Sequence, residues 1–353
     1  MKKALELGRR GTNLTFSNPR VGCVIVKDGC IIGRGYHKKF GGHHAEINAM
    51  KNSPRNLKNS TMFVTLEPCT HKGKTGPCAK QIVEQGISRV VIGMKDPRPE
   101  VDGINYLRKN NVRVKVGVLK QETFNLIKDY VKLVKYKKPY VILKSAVSWD
   151  GKIATRTGES RWVSSKSSRN FTMKMRGNIG AIIAGRGTVN TDNPSLTYRL
   201  NKPRAKNPLR VIIDGKLNIK ENLKVIKKGT LIVTSSESSS KKKRRLEKKG
   251  CQVVQITSVV NEKLPPEKIL KLLGKKKVKR CLIEGGGTTA ANFIEAKEVD
   301  RIIFIYGSKI IGGKDAPTAV DGVGVEKMRK APKIKNVKRF NLGEDLVMQG
   351  DLI

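Results

Sequence analysis

The feature that most restricts how this chain can fold is a set of three metal-binding side chains spread along the sequence. His44 opens the triplet His44-Ala45-Glu46, Cys69 follows Pro68 after a strand-like run, and Cys78 comes nine residues later. One His and two Cys suit tetrahedral Zn²⁺ and leave a fourth position for water. The segments 44–50 and 78–85 have helical patterns, and 62–66 and 89–92 read as strands. This alternation predicts an α/β domain, in which the three side chains would form a zinc site.

Glu46 is the predicted acid and base of that site. One His and two Cys ligands with a Glu that is not a ligand form the pattern of zinc-dependent deaminases. Zinc lowers the pKa of its water towards ~7, which makes hydroxide available to attack a ring carbon that bears an amino group. Glu46 would take the proton of this water and deliver it to a ring nitrogen and then to the departing ammonia.

Each part of this pattern, taken alone, also has an ordinary structural explanation. A His-x-Glu triplet usually lies on a helix surface, and two cysteines nine residues apart are often core residues. His43 and His71 are further candidates, since either could replace a ligand, and His71 could contact substrate or brace its loop. The order of the residues and the proline before Cys69 favour His44, Cys69 and Cys78 as the ligands.

A second series of strand-like runs begins near residue 139, after a polar helical segment that ends in Lys137-Lys138-Pro139. The sequence thus predicts two α/β domains, 1–138 and 139–353. In the first, an Asp28-Gly29 turn predicts a hairpin. In the second, apolar runs predict strands at 140–144, 181–184, 209–214, 230–234, 251–256, 278–283 and 301–306.

The run Glu284-Gly285-Gly286-Gly287 ends one of these strands and precedes a predicted helix over 288–295. Glycines allow close approach of the backbone, and a helix N-terminus attracts negative charge, so the pattern predicts a bound phosphate. The run is not GxGxxG and no Walker lysine follows, which argues against a classical dinucleotide or P-loop fold. A purely structural strand-to-helix turn is the alternative.

The charge of the chain is extreme but evenly spread. The net charge is +44, with 28 basic and 10 acidic residues in 1–138 and 45 and 19 in 139–353. A nucleic-acid surface would concentrate basic residues and interleave aromatics, which make up only 5% of the chain. We interpret the excess as solvated surface and expect no specific nucleic-acid partner.

The sequence also gives expectations about location. No run approaches the roughly 18 apolar residues that span a bilayer, and the first residues lack the apolar core of a secretory signal. Six cysteines are scattered without an export signal, which argues against a disulfide framework. We therefore expect a cytoplasmic protein with no membrane partner.

Several motifs together resemble the bifunctional riboflavin-biosynthesis deaminase/reductase family. They include the long loop between Cys69 and Cys78, where other deaminases have Cys-x-x-Cys, and Asp96-Pro97-Arg98-Pro99, although the family usually has Asn at the position of Arg98. The remaining motifs are 18–22 (NPRVG), 35–37 (GYH), 41–46 (GGHHAE), 144–154 (KSAVSWDGKIA), 158–162 (GESRW), 187–189 (GTV), 192–194 (DNP), 196–199 (LTYR) and 284–287 (EGGG).

The resemblance implies an N-terminal cytidine-deaminase-like three-layer domain and a C-terminal dihydrofolate-reductase-like domain. It also implies two reactions on one phosphoribosylamino-pyrimidine: zinc-dependent deamination, and reduction of the ribosyl group to ribityl by NADPH. We expect one zinc per chain and a homo-oligomer. A deaminase whose reductase half is non-functional and a basic RNA-binding or editing deaminase are the alternatives.

Site residues follow from the resemblance position by position. Asn18 would bind the pyrimidine ring, and Lys144 is a candidate for polarising the opening ribose. The residues that would contact NADPH are Ala146, Trp162, Thr188, Asp192, Gly286, Gly287, Thr288, Thr289, Ala290, Ala291 and Asn292. The residues that would hold the substrate are Ser160, Arg176, Leu196, Arg199 and Glu284. Arg suits a sugar phosphate, and a carboxylate suits ribose hydroxyls.

Overall fold

Two sheets organise the computed structural model, one in each of two compact units, Met1–Lys137 and Lys138–Ile353. The structure describes residues 1–15, 17–54, 56–70, 76–200, 207–257 and 263–353. His71, which was a candidate for contacting substrate or for bracing its loop, lies outside these ranges.

The sheet of the first unit has five strands in the order β2-β1-β3-β4-β5. They are β1 (Gly22–Lys27), β2 (Cys30–Tyr36), β3 (Thr61–Leu66), β4 (Arg89–Met94) and β5 (Arg113–Val116). The predicted β1–β2 hairpin is confirmed, and Asp28 and Gly29 both have positive φ, at 50° and 76°, which fits the twist of a tight hairpin. β3, β4 and β5 are parallel, so their carboxyl ends share one edge.

Helices cover both faces of this sheet. They are α1 (Lys2–Arg9), α2 (Ala45–Lys51), α3 (Cys78–Glu84), α4 (Gly103–Lys109) and α5 (Lys120–Tyr136), and a 3₁₀ turn spans Asn13–Thr15. Apolar residues of α2, α3 and α4 form one core with the strands. Those of α1 and α5 form smaller clusters on the other face. The predicted three-layer arrangement is confirmed.

The sheet of the second unit has nine strands in the order β10-β9-β8-β7-β11-β6-β12-β14-β13. They are β6 (Tyr140–Val147), β7 (Ala181–Gly185), β8 (Leu209–Ile213), β9 (Thr230–Ser235), β10 (Gln252–Ile256), β11 (Arg280–Ile283), β12 (Arg301–Tyr306), β13 (Ile334–Leu342) and β14 (Asp345–Leu352). The strands from β10 to β12 are parallel, and β14 and β13 run antiparallel at one end.

Helices also flank the second sheet. They are α6 (Lys166–Arg176), α7 (Arg186–Asp192), α8 (Ser240–Lys248), α9 (Pro266–Lys275) and α10 (Gly287–Glu295), with a 3₁₀ turn at Met328–Lys330. One core contains apolar residues of α9 and α10, and the opposite core contains those of α7 and α8. Because β6, β7 and β11 are parallel neighbours, the residues that follow them meet at one edge, where α/β sheets bind ligands.

The predicted α/β class and the seven predicted strands of the second half are confirmed. The sequence reasoning did not predict β5, β13 and β14, which lack continuous apolar runs. All six cysteines are described and free. Within the described ranges, no helix is long and apolar enough to cross a membrane.

Candidate active sites

His44, Cys69 and Cys78 come together where two helices begin and one strand ends. His44 immediately precedes the first residue of α2, Cys69 follows β3 by three residues, and Cys78 is the first residue of α3. Two of the three, His44 and Cys78, therefore lie at helix N-termini. A backbone hydrogen bond from Ala79 N to Cys69 O at 3.1 Å joins the two cysteine-bearing segments.

The geometry of the three side chains fits a zinc ion. Their donor atoms lie within 4.8 Å of one another, with His44 Nδ1 at 3.5 Å from Cys69 Sγ and 3.3 Å from Cys78 Sγ. Zn–N and Zn–S bonds of about 2.0 and 2.3 Å at tetrahedral angles would separate N from S by about 3.5 Å. A hydrogen bond from the Cys78 thiol lowers the pKa of Cys69.

Glu46 lies in the first turn of α2 and is only 4% exposed. Burial, partly offset by the nearby His44 ring, raises the pKa of Glu46 to about 7. A carboxyl group with this pKa both accepts and releases a proton at neutral pH, as a general acid and base must. The charge environment therefore suits the role predicted for Glu46.

A cavity of about 280 Å³ opens over this cluster. Its lining includes Asn18, His37, Glu46 and Cys69. His37 Nδ1 lies 3.0 Å from the carbonyl oxygen of His43, so Nδ1 is the protonated nitrogen and Nε2 accepts from Asn18 Nδ2, 3.2 Å away. Asn18 is thus oriented beside the metal cluster, as the prediction of a ring contact requires.

His43 does not belong to the metal cluster. Its Nε2 lies 2.9 Å from Lys51 Nζ on the surface, and its carbonyl oxygen holds His37. The alternative in which His43 replaces His44 as a ligand therefore has no support from the geometry.

Asp96 and Arg98 form a further part of the cavity wall that the sequence reasoning did not single out as functional. Arg98 Nε and Nη2 each donate to a different oxygen of Asp96 at 3.0 Å, and Tyr130 OH donates to Asp96 Oδ1 at 3.4 Å. The Asp96 side chain is 2% exposed and that of Arg98 is 29% exposed. The Arg98 guanidinium is thus held in place at the pocket. The sequence signal for this feature was that residue 98 is Arg where the family usually has Asn.

In the second unit, Glu284, Arg176 and Lys144 form a buried charge cluster. Arg176 donates to both Glu284 oxygens, from Nε at 2.9 Å and from Nη2 at 2.7 Å. Lys144 Nζ lies 3.9 Å from Glu284 Oε2. Burial opposes ionisation of Glu284, but Lys144 and Arg176 outweigh it and hold its pKa below the ordinary value. Burial lowers the pKa of Lys144, so its ammonium group is a stronger acid than an exposed lysine.

The glycine run connects β11 to α10 and contacts α7. Gly286 N donates to Thr188 Oγ1 at 2.9 Å, so two residues predicted to contact NADPH meet here. The φ of Gly286 is −70°, so its backbone conformation does not by itself require glycine. A β-carbon there would meet only Thr188 Oγ1, at 3.5 Å, an ordinary contact. The fold itself therefore accepts a β-carbon at 286.

Three more predicted residues lie near the end of α7 or the start of α6. Ser160 Oγ donates to Asp192 Oδ1 at 3.0 Å, and both line a cavity of about 480 Å³. Trp162 is 57% exposed, and the Arg169 guanidinium carbon lies 4.3 Å from the centre of its ring. Trp162 therefore has one face covered by a cation.

Other predicted residues have side chains that the fold itself uses. Leu196, Ala290 and Ala291 are at most 2% exposed, and Leu196 and Ala290 belong to the apolar cores. Asn292 Nδ2 donates to Leu264 O at 3.3 Å. These residues could offer a ligand mainly their backbone, whereas Ala146 and Thr289 are half-buried and Arg199 and Thr288 are exposed. Their contacts with ligands stay predictions.

Family comparisons divide the chain in two. The profile described as "Cytidine and deoxycytidylate deaminase zinc-binding region" matches residues 1–94, and that described as "RibD C-terminal domain" matches residues 139–348. Over 353 residues the chain is 36% identical to riboflavin biosynthesis protein RibD of Actinobacillus pleuropneumoniae, which covers 99% of this chain and 93% of that protein. The RibD of Aquifex aeolicus is 37% identical over 353 residues, with 99% and 96% covered.

Solved structures give the same relationship. The structure of Acinetobacter baumannii RibD matches with a TM-score of 0.86 and 29% identity, covering 100% of this chain and 97% of that one. A Thermotoga maritima diaminohydroxyphosphoribosylaminopyrimidine deaminase/5-amino-6-(5-phosphoribosylamino)uracil reductase matches with a TM-score of 0.83 and 33% identity, with the same coverage.

Proposed function

The chain belongs to the RibD family of bifunctional riboflavin-biosynthesis enzymes, and from this premise we propose which of its residues carry the two reactions. The family couples a zinc-dependent deaminase to an NADPH-dependent reductase. We assign deamination to residues 1–138 and reduction to 139–353. The substrate would be the diaminohydroxyphosphoribosylaminopyrimidine named for the Thermotoga relative.

The meeting of His44 Nδ1, Cys69 Sγ and Cys78 Sγ beside buried Glu46 is the observation that carries the deaminase assignment. A zinc ion held by these three ligands would supply an acidified water. Glu46 would accept a proton from that water and pass it to a ring nitrogen, and would then take the proton of the added hydroxyl and deliver it to the amino group, which leaves as ammonia. The ring would exchange its amino group for a carbonyl oxygen.

Asn18 and Arg98 would orient the substrate in the same cavity. Asn18 is held by His37 and would hydrogen-bond the pyrimidine ring. The Arg98 guanidinium, fixed by Asp96, would attract the negatively charged ribose phosphate, since Arg presents several donors to phosphate oxygens.

In the second unit, NADPH would supply hydride to the ribosyl carbon attached to nitrogen. The acidic Lys144 ammonium would donate a proton to the ribose oxygen that leaves this carbon as the ring opens. Glu284, held by Arg176, would keep Lys144 in place and accept from ribose hydroxyls. The exposed Arg199 would bind the phosphate. The NADPH contacts would be Thr188, the glycine run and the exposed Trp162.

One assay tests the whole assignment. The purified chain is given the diaminopyrimidine phosphate and NADPH, and release of ammonia is followed together with oxidation of NADPH. We expect both, with ammonia release independent of NADPH. Ammonia release without NADPH oxidation would indicate a deaminase whose reductase half is non-functional. If the assay shows neither ammonia release nor NADPH oxidation, the proposal is refuted.

We also propose a homo-oligomer and a cytoplasmic location. Exposed apolar side chains occur in β13 and in the segment that precedes it, and a second copy would cover them; they are Val320, Val323, Val325, Met328, Ile334 and Val337. Six free thiols suit a reducing compartment. Light scattering of the purified chain would test the first proposal, since a monomer at every concentration contradicts it.

A further inference from the structure

The segment Thr318–Gly322, between β12 and β13, lies along the first turns of α10. Asp321 N donates to Gly287 O at 3.2 Å. Gly322 has a φ of +91°, and a β-carbon on it would lie 3.0 Å from Ala291 Cβ. The segment is thus fixed on α10 by a backbone hydrogen bond and by close packing of a glycine.

This packing places the Asp321 carboxylate against the N-terminus of α10. A β-carbon on Gly287, the first residue of the helix, would overlap all three carboxylate atoms of Asp321. The carboxylate accepts from Thr318 Oγ1 at 2.6 Å and from Thr288 Oγ1 at 3.4 Å. Gly287 therefore makes room for a side chain of this chain, which is a sufficient reason for glycine at that position.

The electrostatics of α10 explain why a carboxylate is stable there. The helix has no acidic residue in its first turn and no side-chain cap at Gly286. Its partial positive charge is therefore not compensated from within the helix, and Asp321 supplies negative charge from a distant segment. The same N-terminus is where the glycine run predicts the cofactor phosphate. Two anions at one helix terminus repel each other.

We propose that Asp321 sets the affinity of the reductase unit for NADPH, because its carboxylate already compensates the N-terminus of α10 to which the cofactor phosphate would bind. This inference rests on the proposed reductase function. It assigns Asp321 a role in cofactor affinity, outside the residues proposed to contact the cofactor or the substrate.

The test uses the full chain and Asp321→Asn, which removes the charge and keeps the shape. Thr318 can still donate to the amide oxygen, and the Thr288 hydroxyl can accept from the amide nitrogen. The dissociation constant of NADPH is measured from the change in its fluorescence. We expect it to fall about threefold or more. The higher affinity of the variant should approach that of the wild type at high salt, because ions screen the repulsion between the carboxylate and the phosphate.

Asp315→Asn is the matched control, since Asp315 is exposed in the same connection between β12 and β13 and undergoes the same charge change. It should leave the dissociation constant within twofold, about the effect of one distant surface charge. Asp321→Ala, which lacks both hydrogen bonds, should share the gain and keeps the test decisive if Asp321→Asn folds poorly.

Unchanged or weaker NADPH binding in a folded, neutral variant of Asp321 would overturn this inference and leave the reductase assignment intact. An equal gain in Asp315→Asn would also overturn it, because the effect would then be one of net charge. Absence of NADPH binding in the wild type and in every variant would overturn both proposals together.

Discussion

Arg176 and Glu284 are 108 residues apart in the chain, yet they form a bidentate ion pair in the interior of the second unit, with N–O distances of 2.9 and 2.7 Å. Lys144 lies on the other side of the same carboxylate. One carboxylate thus faces two buried cations. Removing it would leave both without their partner, which costs more than the pair itself contributes.

We predict that Glu284→Gln lowers the free energy of unfolding by about 3 kcal/mol at pH 7. The two cations lower the pKa of Glu284. The ionised carboxylate therefore stabilises the folded state fully above the unfolded pKa of ~4.3, and this stabilisation is lost as the pH falls through the lowered folded pKa. The gap between wild type and variant should therefore close below about pH 4.

Calorimetry measures the unfolding of the second unit at each pH. Its thermal transition is identified because bound NADPH raises the transition temperature. The exposed Glu326 provides the control, and Glu326→Gln should change little. A gap that stays constant down to pH 2 would contradict the sign of this pKa shift.

Metal content tests the three ligands. The wild type should carry about one zinc per chain, and Cys69→Ser or Cys78→Ser should lose it, because a hydroxyl is a far weaker zinc ligand than a thiolate. Cys30 is exposed and free, so Cys30→Ser should retain the metal. Elemental analysis that finds equal zinc in all four proteins would exclude the assigned site.

Glu46→Gln should keep zinc and lose deamination by about 10²–10⁴-fold, the usual contribution of a positioned acid and base. The side chain is buried and is not among the three clustered ligands. Ammonia release and zinc content are measured on the same sample. Near-normal release would remove Glu46 from the mechanism, and loss of zinc would make it a structural support of the metal.

Gly286→Ala should weaken NADPH binding by about tenfold or more if phosphate approaches the backbone there. The fold itself accepts a β-carbon at this position, so the thermal transition should not move. Zinc content and ammonia release should stay normal, because their residues lie in the other unit. Fluorescence titration that gives wild-type affinity would place the phosphate elsewhere.

Arg98→Met should raise the KM for the aminopyrimidine phosphate by about tenfold, with a smaller effect on kcat, because a phosphate contact far from the reacting carbon contributes mainly binding. Arg34 is exposed on β2, and Arg34→Met removes the same charge as a control. Equal KM values for the two variants would mean that Arg98 does not bind the phosphate and serves only as the partner of Asp96.

The sequence predicted that His44, Cys69 and Cys78 come together, because each of them is marked by a local pattern. His44 precedes a helix, and Cys69 and Cys78 bracket a loop between a strand and a helix. Buried parallel strands were equally clear from their apolar runs. The exposed β13, with its polar and basic residues, gave no such signal.

Long-range pairings were beyond sequence reasoning for a different reason. Nothing local in the sequence shows that Arg176 neutralises Glu284, so Arg176 was predicted to hold a sugar phosphate, whereas three of its N–H groups are used by Glu284 and Thr197 O. The contact between Asp321 and Gly287 is of the same kind. Such pairs depend on which strands become neighbours.

The junction of the two cysteine-bearing segments has a consequence for how this enzyme can diversify. Cys78 N lies 3.5 Å from Cys69 Sγ, and Ala79 N donates to Cys69 O, so both ends of the intervening loop are anchored to each other. The two cysteines are therefore held together by contacts of their own, whatever the sequence between them. A lineage can thus vary that stretch of sequence while the two proposed ligands stay in place.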